Sequence, residues 1–210
     1  MKNLLVCLLL VMLVGVTFAT QPTIYGYSGI FTAPTAETIK TAGVALIGST
    51  SKDVNTVGGC VGLFPNWELS AARVSNSESQ TILSGKILLL QEGLALPAIG
   101  VGVADITDEI GSSVYVVATK TLTVTQVATK TTGLPFGPPQ ISAGIASGKI
   151  MDGVFAGVVL PLSGRSRIMA EYSNKKVNLG LAMQVLPLVE VEVFTLEGNV
   201  SGAVYVKLGF

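Results

Sequence analysis

Residues alternate in character along much of the chain. In VNLGLAMQ, Val177, Leu179, Leu181 and Met183 fall on one face of an extended strand, and Asn178, Gly180, Ala182 and Gln184 fall on the other. VEVEVFT sets Val189, Val191 and Val193 against Glu190, Glu192 and Phe194. AIGVGVAD sets Ile99, Val101 and Val103 against Gly100, Gly102 and Ala104. One face is aliphatic and the other small or polar. From Val44 onward such runs follow one another, separated by turn signals such as Lys52-Asp53, Pro65-Asn66, Ser75-Asn76-Ser77, Ser163-Gly164, Asn174-Lys175 and Gly198-Asn199. The pattern predicts strands over about 43–51, 57–64, 67–75, 81–90, 98–105, 113–120, 140–148, 153–160, 166–173, 177–185, 189–196 and 200–209. Several connections are hairpin-length, which predicts an antiparallel meander. Abundant Val, Ile and Thr, with Gly breaking most runs, argue against a helical fold.

The last run, VSGAVYVKLGF, sets Val204, Val206, Leu208 and Phe210 on one face, with Ala203, Tyr205, Lys207 and Gly209 on the other. A barrel that closes by pairing its last strand with its first needs a full strand here. This run is similar to the C-terminal strand that outer-membrane barrels present to their assembly machinery. Val204, Val206, Leu208 and Phe210 are the candidate assembly signal, and the partner strand is expected around 43–51.

At the other end, MKNLLVCLLLVMLVGVTFA reads as a secretory signal peptide over 1–19. Lys2 supplies the positive region, Leu4 to Val16 the apolar stretch, and Thr17-Phe18-Ala19 the small-residue cleavage site. Residues 20–42 carry Pro22, Pro34 and several Gly and Thr without a clear period, and are expected to form an irregular lead-in with a short helical turn near Thr35 to Ile39. The lead-in either caps the mouth of a barrel, enters its lumen or lies on a sheet edge. The barrel domain is expected over 43–210. The longest irregular stretch, 121–139, is expected as the largest exposed loop.

Composition bears on which face meets water. Without residues 1–19 the chain has 191 residues and 25 charged side chains, about 13%, against roughly 25% in ordinary soluble domains. No stretch after the signal is apolar over the roughly 18 residues a spanning helix requires. A closed barrel is the other way to satisfy every backbone group in lipid. The expected fold is therefore all-β, an antiparallel up-and-down transmembrane β-barrel of about ten to twelve strands in the outer membrane of a diderm bacterium. A soluble secreted sandwich or adhesin-like module has the same alternation with the faces reversed. The low aromatic content, 6% with Trp67 the single tryptophan, is thin for the usual aromatic girdles. Near-zero net charge points neither to nucleic acid nor to an anionic surface as partner.

Candidate chemistry is sparse. The absence of histidine excludes Ser-His-Asp and Cys-His arrangements. Cys60, in the apolar run VGGCVGLF, reads as a small packed or lipid-facing residue. GVGVAD lacks the third glycine and the following helix of a dinucleotide loop. Asp105, Asp108 and Glu109 match no calcium-loop spacing and read as an exposed turn, and Asn199-Val200-Ser201 reads as a chance glycosylation sequon. No catalytic residue, metal ligand or cofactor is expected. The charges within strands carry more information. By alternation Lys86, Glu171, Glu190, Glu192 and Lys207 face the small-residue side, since a charge facing lipid is costly. They either pair across strands and plug a narrow barrel, or line a pore. Glu190 and Glu192 share one strand, an arrangement unlike the facing carboxylates of a glycosidase.

Three stretches in order carry a resemblance: YGYSGIFTAPTAE at 25–37, LPAIGVGVADI at 96–106 leading to YVVATK at 115–120, and GVFAGVVLPL followed by MAEYSNKKVNLGLAM within 153–183. Together they resemble the YjbH family of bacterial outer-membrane proteins. The resemblance implies a non-enzymatic outer-membrane barrel linked to exopolysaccharide or capsule production and export, without catalytic residues. It implies outer-membrane lipid, the barrel assembly machinery and polysaccharide or export components as partners. The larger members of that family are several times longer. A narrow solute pore is the alternative that the lumen charges suggest.

Overall fold

A computed structural model describes residues 20–209, apart from 53, 77 and 123–136. Two short strands, β1 (Gln21–Pro22) and β2 (Ser28–Gly29), pair within the lead-in. Twelve longer strands follow: β3 (Val44–Thr50), β4 (Asn55–Phe64), β5 (Trp67–Ser75), β6 (Ser79–Leu90), β7 (Ala98–Ala104), β8 (Ser113–Thr121), β9 (Gln140–Gly148), β10 (Gly153–Ser163), β11 (Ser166–Ser173), β12 (Lys176–Leu186), β13 (Val189–Leu196) and β14 (Asn199–Leu208). Each pairs antiparallel with its neighbours in sequence, and β14 pairs with β3 to close a barrel. The seam sets Tyr205 against Ile47 and Leu208 against Val44. Every strand expected from alternation is present, with ends moved by three residues or fewer. No helix of the described residues is long and apolar enough to cross a membrane.

Sequence explains the tight corners. Asn174 and Lys175 both adopt positive φ, 49° and 63°, as do Glu197 and Gly198, at 54° and 86°. These two-residue turns have the type I′ twist that suits right-twisted strands. They lie at one end of the barrel, here the hairpin end. The start of β3 and the finish of β14 lie at the other, the terminal end.

The alternation resolves into two faces. Val177, Leu179, Leu181 and Met183 are 50–62% exposed on the outside, whereas Asn178 and Ala182 between them are buried. Val204 and Leu208 also face outward, and Ala203 and Tyr205 inward. Phe210 lies outside the described residues, as do most positions of the 121–139 loop. The outer surface is a belt of Leu, Ile and Val around a closed cylinder, the pattern of a transmembrane β-barrel. The sandwich alternative does not hold, because β14–β3 pairing leaves one closed sheet and no second layer. Replacing Leu181, half exposed on this belt, with arginine is expected to cost about 2–4 kcal/mol if it lies near the bilayer midplane. Urea unfolding from lipid vesicles checks this, and an unchanged midpoint would mean that the belt does not face lipid.

The core sits inside the cylinder, around the lead-in. From Gln21, beside Arg167 near the terminal end, the segment runs to Ile24 and Tyr25 at the hairpin-end mouth and then turns back. It leaves at the terminal end, where the Ala42 amide donates to the Gly62 carbonyl. Ile30 and Phe31 pack with Ile47, Met169, Phe194 and Tyr205, while Tyr27, Ala33 and Ala36 pack with Tyr115, Val117 and Phe155. Phe31 stacks on Phe194 at 5.0 Å and 8°. Of the three expected placements of the lead-in, the lumen is the observed one. The expected helical turn at Thr35 to Ile39 is absent. Its backbone groups bond to wall side chains instead: the Ala36 amide donates to Thr119 Oγ1 and the Ile39 amide to Glu68 Oε2, each at 2.9 Å.

Candidate functional site

The barrel wall makes room for this inner segment with small residues. A Cβ added at Gly180 would lie 2.7 Å from the Phe31 ring, and one at Gly100 would lie 2.9 Å from the Ala36 carbonyl oxygen. The Gly/Ala face that suits a crowded interior is therefore crowded by the protein's own chain. Around it, the buried charges form three groups.

The first group is Glu171, from β11. Its Oε2 accepts the amides of Phe31, Thr32 and Ala33 at 2.9, 3.0 and 2.9 Å. Its other oxygen accepts the Thr32 hydroxyl, the Ser173 hydroxyl and the Asn178 side-chain amide. Three successive backbone N–H groups converging on one carboxylate make a charge-assisted clamp. The second group is Lys86 of β6 with Glu68 of β5, at 3.8 Å. Lys86 Nζ donates to the carbonyls of Ser28, Thr35 and Glu37 and to the Ser28 hydroxyl. Glu68 accepts the Ser28 amide at 2.8 Å, the Ser28 hydroxyl at 2.6 Å and the Ile39 amide. The pair ties the two ends of the return leg, Ser28 and Thr35 to Ile39, together from opposite polarities.

The third group lies near the terminal end. Arg167 pairs with both oxygens of Glu190, and Lys207 reaches Glu190 Oε2 at 3.4 Å. Arg167 also donates to Gln21, whose amide donates to Glu192 Oε2 at 2.9 Å. Lys86, Glu171, Glu190, Glu192 and Lys207 all lie on the lumen side. Glu68 and Arg167 share it without having been singled out in sequence, although parity marks both: Glu68 is in register with Ser70 and Ala72, and Arg167 with Met169 and Glu171. Glu190 is held between two cations, so Glu190 and Glu192 form no facing acid and base. Ion pairs and the lead-in both occupy this inner space.

Elsewhere the sequence candidates are structural. Cys60 is buried inside the barrel with Ile39 and Ala45. No group of three His, Cys, Asp or Glu among the described residues is placed to hold a metal ion. Asp105, after β7, folds the hairpin-end loop around itself. Its carboxylate accepts the Thr107 hydroxyl at 2.6 Å and the Ile110 and Gly111 amides at 2.8 and 3.1 Å. Burial pulls the Asp105 pKa upward, but these hydrogen bonds outweigh it and hold it below the ordinary value. The folded-state pKa is depressed, so the stabilisation is fully present above the usual carboxylate range near 3.9 and is lost as pH falls through the depressed value. Hydrogen exchange at Ile110 and Gly111 is expected to speed up on that acidification, and Asp105→Asn is expected to remove the pH step.

No family model matches the sequence, and no curated protein matches it either. Among solved structures it is similar to the KdgM porin, with a TM-score of 0.51 and 10% identity over 80% of this chain and 99% of that one. The KdgM porin in complex with disordered oligogalacturonate aligns with the same values. At that identity the likeness is one of fold, and the fold it supports is a transmembrane β-barrel built from antiparallel strands.

Proposed function

We propose that the protein is a non-enzymatic outer-membrane barrel of porin type whose channel is occluded by its own lead-in segment. The single observation that carries this reading is the folded-back segment clamped in the lumen by Glu171, Glu68 and Lys86. The likeness to a porin and the charged inner wall support the channel, and the clamped segment supports a closed resting state. Release of the segment on an appropriate signal would expose a passage lined by carboxylates and amines.

Single-channel recording of the folded full chain in planar bilayers tests it. The expected trace is closed for most of the record, and a Glu171→Ala variant is expected to open at least ten times as often. Steady conductance in the unaltered protein would remove the occlusion, and silence from both proteins would remove the channel. An association with exopolysaccharide production or export is a second reading. It is supported by the YjbH resemblance, whose first motif, 25–37, is the turn and return leg of the lumen segment. Unchanged exopolysaccharide output on deleting the gene from its host would dismiss it.

A further inference from the structure

At the hairpin end the described residues do not fill the barrel mouth. A cavity of about 210 Å³ lies between the hairpin corners and the outermost turn of the lumen segment, floored by Tyr25 and walled by Asn76, Lys176, Asn178, Glu197 and Asn199. The geometry points to a binding site here for a single neutral polyhydroxylated ring, such as a hexose unit. This inference does not depend on whether the lumen conducts.

Volume sets the first limit, since pockets for drug-sized ligands run from about 300 Å³ upward and this one is smaller. Chemistry sets the second. Among the wall amides Asn199 offers donors and an acceptor, which match hydroxyls that both donate and accept. Among the described residues the Tyr25 hydroxyl and the Asn199 side-chain amide have no hydrogen-bond partner, so both are available to a ligand. The one basic group, Lys176, is paired with Glu197 at 2.7 Å, so the cavity offers an anion no free cation. A metal ion would lack a ligand cluster, and an apolar molecule would strand the amides. Aliphatic wall between the polar groups suits the C–H faces of a sugar ring.

The frame is also pre-formed. Asn178 donates to Glu171 and its side-chain oxygen accepts the Glu197 amide at 3.1 Å, fixing both to the clamp below. The left-handed turns at Asn174-Lys175 and Glu197-Gly198 fix the hairpins that carry Lys176 and Asn199. Little ordering is then left for a ligand to impose.

The test is calorimetric titration of methyl β-glucoside into the full chain folded in zwitterionic detergent micelles, which carry no sugar headgroup. Saturable binding is expected, weakened at least tenfold by Tyr25→Phe combined with Asn199→Ala. Glucuronate is expected to bind no more tightly than the neutral glycoside, and inorganic phosphate not at all. Both substitutions remove groups without protein partners, so the heat-modifiable gel shift of the folded barrel is expected to persist. NMR provides a readout without substitution: the glycoside should shift the Asn199 side-chain amide and leave the Trp67 indole, at the terminal end, unmoved. Absence of saturable binding, equal binding by the double variant, shifts confined to Trp67, or a tenfold preference for glucuronate or phosphate would each overturn the assignment.

Discussion

Glu171→Ala is expected to release the segment from the lumen while leaving the barrel closed. The substitution removes the acceptor shared by the amides of Phe31, Thr32 and Ala33. Thr32, at 8% exposure, and Phe31 and Ala33, almost wholly enclosed, have no water to turn to. A buried donor left without a partner costs about 1–3 kcal/mol, so three of them weaken the local structure by at least about 3 kcal/mol. Native-state hydrogen exchange at those amides should accelerate on the order of a hundred- to ten-thousand-fold. Exchange in β13 and β14, whose ladder bonds lie in the wall, should change little. Equal acceleration in wall and segment would mean that the two unfold as one unit and that the clamp has no separate role.

The second large effect concerns Lys86. Lys86 is 1% exposed, and its ammonium serves carbonyls at both ends of the return leg as well as Glu68. Lys86→Met keeps most of the side-chain volume but leaves the Glu68 carboxylate buried without its cation. Breaking a buried pair from one side costs about 3–5 kcal/mol, and replacing both partners costs less. The single variant should therefore unfold at clearly lower urea than the parent in lipid vesicles, and Lys86→Met with Glu68→Gln should recover part of the difference. Recovery is expected to be incomplete, because Glu68 also accepts the Ser28 and Ile39 amides. A double variant less stable than Lys86→Met would show that the carboxylate's backbone bonds outweigh its charge pairing.

The wall was readable from sequence because strand structure is local. Two-residue periodicity gives the face of each side chain, and Asn, Gly and Pro pairs mark the corners, so Val177 to Met183 and the seam strand Asn199–Leu208 could be assigned without contacts. The lumen charges followed from the same parity. Glu68 was harder to single out, because Arg73 on the same strand points outward near the hairpin end and spoils the simple rule that strand charges face in. The lead-in was not readable in this way. Its backbone groups are satisfied by side chains far away in sequence: Phe31, Thr32 and Ala33 bond to a carboxylate about 140 positions on. Nothing within a local window records such partners. Gly157 and Gly180 hint at something filling the space, but glycine within a strand equally marks a bulge or a tight bend.

Both legs of the lumen segment reach the same, terminal end of the barrel, one beside Arg167 and the other beside Gly62. Within the described residues the chain is therefore looped into the cylinder rather than threaded through it. A threaded strand would have to be in position before the β14–β3 seam zipped, and could leave only by unzipping it. A looped one obeys no such order. The segment can enter an already closed barrel, and it can withdraw and return without breaking a single rung of the sheet.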